Sequence, residues 1–202
     1  SSTPPVTALD TPRSGRATVS TPRARVATDR VALATNVFKP LLRRNHLMTV
    51  PVYDYVLMTE PLSDQQLASI GWRNRQGLGD MANQFHYSRL TQDNRILYGG
   101  YDAIYPRRGR MTFGLEDRPE TFELLASHFL ATFPQLEGLR FTHRWAGAID
   151  TCTRFTAFYG LARRGRVAYA NGFTGLGVGA TRFAGDVLLD LLAANRPSAR
   201  PW

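Results

Sequence analysis

The stretch Asn171-Gly-Phe-Thr-Gly-Leu-Gly-Val-Gly-Ala180 is where this chain can do chemistry with its backbone. It carries Gly172, Gly175, Gly177 and Gly179. A short apolar run, Arg166–Ala170, precedes it, and a helical pattern, Thr181–Leu192, follows it. A strand, a glycine turn and a helix start aim unpaired N–H groups at one point, where the helix dipole favours negative charge. Glycine lets a bound group come close to the backbone. The chemistry implied is recognition of an anion or of the polar edge of a cofactor. Gly175-x-Gly177-x-x-Ala180 also fits the looser dinucleotide fingerprint. That fingerprint opens a βαβ unit and expects an acid about twenty residues on, after a second strand. Here no acid follows Asp190. The glycine turn is therefore expected to close a domain, with the rest of any cofactor site built elsewhere.

Side chains offer less. His86 and His143 could accept a proton, but neither has a partner close in sequence. The four histidines have no ligand spacing with one another or with Cys152, so no metal site is expected. Tyr53, Tyr55, Tyr87 and Tyr101 sit on β-rich segments, where they could wall a substrate amine or fill a core. No catalytic residue is assigned. Cys152 is the single cysteine, which rules out an intrachain disulfide and reads as a packed thiol in a reducing, cytoplasmic setting.

The net charge is +9, and of 25 basic residues all but Lys39 are arginine. They are scattered in ones and twos, without a zinc, RNP or helix-turn-helix pattern, so nucleic acid is not expected as a partner. No apolar run approaches the ~20 residues of a membrane span.

The elements that must position the glycine turn follow from turn signals and periodicity. Val6–Leu9, Ala17–Ser20 and Arg25–Thr28 read as a small meander with a turn at Ser14-Gly15. Asp29–Asn36 reads as an apolar strand of a buried parallel sheet. Val50–Met58 is β-rich, and Ser63-Asp-Gln-Gln66 has capping-box spacing for a short helix ended by Gly71. Phe85–Leu90 and Arg95–Tyr101 form a hairpin around Gln92–Asn94. A helix from Glu116 through Thr132 carries Phe122, Leu125, Ala126, Phe129 and Phe133 at helical spacing, and Pro134 stops it. Leu139–Trp145 and Thr156–Tyr159 return to strand, with a turn at Arg164-Gly165. The last helix is expected to bury Phe183, Val187, Leu188 and Leu191.

In this order the pieces resemble the C-terminal part of the D-amino-acid-oxidase-like flavoproteins, a family that includes glycine oxidase, sarcosine oxidase and γ-glutamylputrescine oxidoreductase. The meander leads into Val31-Ala-Leu-Ala-Thr-Asn36, like the family's strand ending in Ala-Thr-Gly or Ala-Thr-Asn. Arg144-Trp-Ala-Gly-Ala-Ile-Asp150, leading to Tyr159-Gly160, resembles its tryptophan-glycine segment, and Gly172–Gly179 its closing turn. The resemblance implies an α+β chain with an antiparallel-sheet substrate domain. It also implies the C-terminal strand-turn-helix and meander of an FAD-binding, Rossmann-like domain whose N-terminal βαβ lies outside this sequence. The division implied is 1–40 and 143–202 for the cofactor domain and 41–142 for the substrate domain.

The same resemblance implies FAD as cofactor and oxidation of a C–N bond of an amine or amino acid by hydride transfer to flavin N5. It places Ala34, Thr35, Asn36, Gly172, Phe173, Thr174, Gly175, Gly177 and Val178 around the cofactor, the glycine turn at the N1–C2=O edge of the ring. Tyr53, Tyr101, Trp145 and Asp150 are its substrate candidates. Many relatives carry Trp-Ala-Gly-Leu-Arg-Pro, whose arginine grips a substrate carboxylate. Ile149 and Asp150 fill those last two places, which turns the expectation towards an amine. Asp150 could pair with an ammonium or cap a turn at Thr151, and Arg75 or Arg89 could replace the clamp. The N-terminal FAD-binding half is then a required partner, in cis or in trans, and the chain alone is expected to hold FAD poorly. The alternative is a non-catalytic remnant or subunit.

Overall fold

The computed structural model describes residues 4–38, 40–100, 104–106 and 111–194. The chain divides into two compact units, Ser1–Val50 with Ile149–Trp202 and Pro51–Ala148.

The first unit holds two three-stranded sheets and one long helix. Strands β1 (Ala8–Asp10), β2 (Ala17–Ser20) and β3 (Arg25–Thr28) form an antiparallel meander. Gly15 takes the left-handed turn between the first two, at φ 89°. Arg164 and Arg166 donate to the carbonyls of Thr11, Pro12 and Gly15, so two of the arginines serve to hold this turn. The apolar strand is shorter than Asp29–Asn36 suggests: β4 covers Val31–Leu33. It pairs in parallel with β11 (Val167–Asn171), and β10 (Phe158–Ala162) runs antiparallel on the other side of β11. The pairing stops at Tyr169↔Leu33, which frees Ala34–Asn36 to turn away.

Helix α3 (Gly177–Ala194) begins four residues before the expected Thr181, so Gly177, Val178 and Gly179 form its first turn. Its buried stripe is Ala184, Leu188 and Leu192, packed on Ala168 and Ala170 of β11. Phe183, expected in that stripe, is 63% exposed and meets Tyr159 edge-on, 6.3 Å between ring centres. The helix rolls this way because the residues it must meet on β11 are alanines. A small Ala184 against small partners brings the axis closer than a phenylalanine would allow.

The second unit is a five-stranded sheet with two helices on one face. The strand order is β6 (Leu78–Gly79), β7 (His86–Leu90), β8 (Ile96–Gly100), β5 (Val50–Thr59) and β9 (Phe141–Thr151). The last three residues of β9 run into the first unit. Helix α1 (Asp64–Ile70) has the full capping box, with Ser63 Oγ accepting from Gln66 N–H and Gln66 Oε1 accepting from Ser63 N–H. Gly71 closes it in the left-handed conformation, φ 65°. Helix α2 (Pro119–Thr132) starts on its proline, which needs no N–H partner there. Phe122, Leu125 and Phe129 of α2 are buried against Tyr53, Tyr55 and Leu57 of β5 and Ile96 and Tyr98 of β8. Alternation along β5, β7 and β8 thus puts one set of side chains under α2 and the other set on the opposite face.

Candidate functional site

Asp150 organises the glycine turn. It lies near the end of β9 and is 2% exposed. Its carboxylate accepts the N–H groups of Gly172 (2.5 Å) and Phe173 (3.2 Å). Its main-chain carbonyl accepts the N–H of Thr174 at 3.0 Å. Burial pushes this carboxyl above the usual range, and the two backbone donors pull it back. The sequence offers Asp150 an ammonium or a turn at Thr151; Thr151 instead ends strand β9, and each carboxylate oxygen accepts a backbone N–H of the distant glycine turn.

The turn needs left-handed residues at Gly172 (φ 76°), Thr174 (φ 50°) and Gly175 (φ 83°). At Gly172 space is also short, since a Cβ there would stand 2.8 Å from the Phe158 ring and 3.0 Å from Cys152 Sγ. Cys152 is buried and donates towards the carbonyls of Thr156 and Gly172, the packed thiol expected. A chain of amides ties the ends of β4 and β11. Asn171 Nδ2 donates to the carbonyl of Asn36 (3.1 Å), and Asn45 Nδ2 donates to Asn171 Oδ1 (2.9 Å).

These contacts shape a cavity of about 420 Å³ at the start of α3. Six of the nine residues expected around a cofactor line it: Ala34, Asn36, Phe173, Gly175, Gly177 and Val178. Asp150 lines it too. Gly172 and Thr174 build the turn behind it, and Thr35 is not among the lining residues. Sequence reasoning missed Ile149, Ala170, Thr181, Ala184 and Gly185 in the wall. The repeat Gly177, Thr181, Gly185 carried the signal: small residues every four positions leave one helix face bare. In the first turn of α3 the N–H groups have no intrahelical acceptor, so they present partial positive charge at this end. The wall is otherwise apolar, with Asn36, Thr181 and Asp150 as its polar points.

The other candidates lie in the second unit. Tyr53 is 1% exposed and belongs to the core under α2, so its ring offers no free face. Trp145 is exposed on β9. Tyr101 lies outside the described residues. Arg75 is tied to the carbonyl of Thr91 and to Asn94 Oδ1, which fastens it to the β7–β8 turn. His143 Nδ1 meets Thr142 Oγ1 at 2.9 Å. Tyr87 lies on the face opposite α2 and donates its hydroxyl to Asp54 Oδ2 at 2.7 Å.

His86 does have partners, brought by folding. Its Nδ1 meets Asp80 Oδ2 at 2.7 Å, and its Nε2 meets His128 Nδ1 of α2 at 3.1 Å. Asp80 also accepts the N–H groups of Ala82 and His86, and these bonds hold its carboxyl down at about 2. A carboxyl depressed in the folded state stabilises it above the unfolded value of about 4 and stops doing so as pH falls towards 2. In a carbon-detected NMR titration the Asp80 carboxyl should therefore titrate near pH 2, and the Ala82 and His86 amide shifts should follow it. A midpoint at the ordinary carboxylate value would show that the loop is not held this way.

A family model described as FAD dependent oxidoreductase matches residues 3–191. The chain belongs to this family. Among its FAD-dependent oxidoreductase relatives is the γ-glutamylputrescine oxidoreductase of Escherichia coli, 31% identical over 185 residues, or 89% of this chain and 40% of that protein. A probable oxidoreductase of Haemophilus influenzae, OrdL, is 27% identical over 188 residues, 91% of this chain and 40% of the relative. The chain thus spans about two fifths of the length of these curated relatives. The fold is that of solved family structures. The glycine oxidase of Geobacillus kaustophilus superposes with a TM-score of 0.71 at 17% identity, over 96% of this chain and 49% of that one.

The cavity fits a flavin ring on its own features. Its wall is mostly apolar, Gly175, Gly177 and Gly185 leave room for a planar ring, and the N–H groups of its helix end would face the polar edge of such a ring. Among the described residues no helix is long and apolar enough to cross a membrane. None of their His, Cys, Asp and Glu side chains gather in threes that could hold a metal.

Proposed function

We propose that this chain provides the ring-facing wall of a flavin site and the substrate domain of an FAD-dependent oxidoreductase that oxidises a C–N bond of an amine or amino acid. The observation that carries this reading is the cavity at the start of α3, lined by Gly175 and Gly177 of the glycine turn. Flavin bound there would accept a hydride from the carbon next to the substrate nitrogen.

The chain's own part is positional. The first turn of α3 supplies N–H groups where negative charge collects, Asp150 fixes the turn before it, and Gly175, Gly177 and Gly185 keep the wall free of side chains. Ile149 and Asp150, standing where many relatives place an arginine and a proline, favour an amine over a free α-amino acid. The names of the relatives, one acting on γ-glutamylputrescine and one on glycine, support both substrate classes. The remaining cofactor contacts would come from sequence corresponding to the part of the relatives that this chain does not match, in cis or in trans. Buried Cys152 suits a reducing, cytoplasmic setting.

Gly185→Leu tests this reading. A Cβ at Gly185 would meet nothing within 4 Å, and the rest of the leucine would enter the cavity that Gly185 lines. Replacing a mid-helix glycine should stabilise α3 by about 1 kcal/mol. The variant is expected to melt at or above the wild-type temperature. Co-purified with a polypeptide supplying the unmatched portion of the relatives, it should lose the flavin that the wild-type chain retains. Full flavin retention by the leucine variant would remove the cavity from consideration as the ring site.

A further inference from the structure

The face of the five-stranded sheet opposite α1 and α2 carries a carboxylate that no cation among the described residues pairs with. Asp54 of β5 is partly buried. Among the described residues no Arg or Lys forms an ion pair with it. It accepts the Tyr87 hydroxyl on Oδ2 at 2.7 Å, the N–H of Tyr55 on Oδ1 at 3.1 Å and the N–H of Gly100. A carboxylate has about four acceptor sites, so these bonds leave capacity on the oxygens.

The way Tyr87 reaches Asp54 is specific to this sheet. β8 lies between their two strands, and Gly99 of β8 stands opposite both Tyr87 and Val56. A Cβ at Gly99 would fall 2.5 Å from the Tyr87 ring. The phenol therefore lies flat across the bare middle strand to arrive at the carboxylate. Beside it Phe85 turns a half-exposed ring towards Tyr87, 6.5 Å between centres. A carboxylate bonded to a phenol, with a second aromatic ring beside that phenol, is a donor set that recognises an alkylammonium by charge and by cation–π contact.

We propose that Asp54, with Tyr87 and Phe85, is a recognition site for a primary alkylammonium group. The assignment deepens the proposed amine oxidation by naming the side chains that would select a cationic substrate, and it rests on that reading for its meaning. Burial raises the Asp54 carboxyl from its usual range, with the Tyr87 hydroxyl opposing, which fits a charge that gains from a counter-ion. Tyr87 orients the carboxylate and is a positioning residue. Its own hydroxyl is pushed up by burial and then by Asp54, so it stays protonated as a donor.

The test is titration of the 202-residue chain with putrescine, read by calorimetry and by the shifts of labelled tyrosine rings, with acetate as the control anion. Putrescine should bind and move the Tyr87 signals, and acetate should do neither. Asp54→Asn keeps an acceptor for the Tyr87 hydroxyl and the size of the side chain. It should weaken putrescine binding about tenfold or more, while Tyr87→Phe should weaken it less. Unchanged affinity in a folded Asp54→Asn protein, or no binding by the wild-type chain at millimolar putrescine, would overturn the proposal and leave a structural carboxylate–phenol pair. The flavin reading fails separately. Loss of flavin retention on reconstitution with intact putrescine binding removes the cofactor site alone, and the converse removes only the Asp54 site.

Discussion

Asp150→Ala should loosen the glycine turn and cost the first unit about 3–5 kcal/mol, because it strips the acceptors from two backbone N–H groups at about 1–3 kcal/mol each and leaves a void besides. Gly172 and Phe173 donate to this one carboxylate, and no other side-chain acceptor for either group is present among the described residues. The N–H of Thr174 still finds the Asp150 carbonyl, so the chain path survives while its clamp does not. Asp150→Asn is the milder change, about 2 kcal/mol, since one oxygen still accepts but the new amide nitrogen confronts the second N–H. Urea unfolding measures the loss. The single thiol reports its location: Cys152 lies beneath Gly172, 5% exposed, and should become reactive to a thiol reagent in the alanine variant before global unfolding. A wild-type midpoint with a protected thiol would mean that the turn holds itself. pH supplies a further check. Burial raises this carboxyl in the folded state, so the folded protein binds the proton more tightly than the unfolded chain does. Stability falls as pH rises from the ordinary carboxylate value to the raised one, and Asp150→Asn should flatten that slope.

Local chemistry in the sequence translated directly into structure. Ser63 and Gln66 wrote the capping box of α1 and Gly71 its end, because each acts on backbone groups within one helical turn. The two strands around Gln92–Asn94 paired as expected, since hairpin register depends on neighbours in sequence. The glycine turn was legible for a similar reason. What escaped was set by contacts far apart in the chain. Asp150 stands 22 residues from Gly172, and spacing alone offers it an ammonium partner or a turn at Thr151, not this distant one. His86 lacked a sequence-local partner and found Asp80 and His128 only through folding, the latter 42 residues away on α2. Phe183 was expected inside because it is large and apolar. The alanines of β11 selected small Ala184 for the contact instead, and side-chain volume on a partner strand is not written in the helix's own period. Tyr53 shows the converse: the alternation of β5 was readable, but which face α2 would cover was not.

The neighbours Gly99 and Gly100 should fail in different ways, and the difference separates fold from function in the second unit. Gly100 has φ 100°, and a Cβ there would strike the main-chain oxygen of Phe85. The offending atom belongs to backbone already paired at the end of the ladder, His86↔Gly100, so it cannot yield without breaking strand pairing. Gly100→Ala thus combines left-handed strain of about 1–2 kcal/mol with overpacking of about 1–3 kcal/mol, roughly 3 kcal/mol in sum. It is expected to lower the urea midpoint of the chain sharply. At Gly99 the obstacle is the outer part of a side chain, the Tyr87 ring and hydroxyl, which can rotate aside without moving the backbone. Gly99→Ala should therefore cost less, about 1 kcal/mol, near the worth of the lost Tyr87–Asp54 hydrogen bond. It should keep the fold while dissolving the arrangement that presents Asp54. The pair gives a clean reading in one experiment: urea unfolding of both variants beside putrescine titration of the folded ones. Equal destabilisation by the two substitutions would show that Tyr87 is locked in place by more than Gly99. Full putrescine affinity in Gly99→Ala would show that Asp54 needs no phenol to hold it.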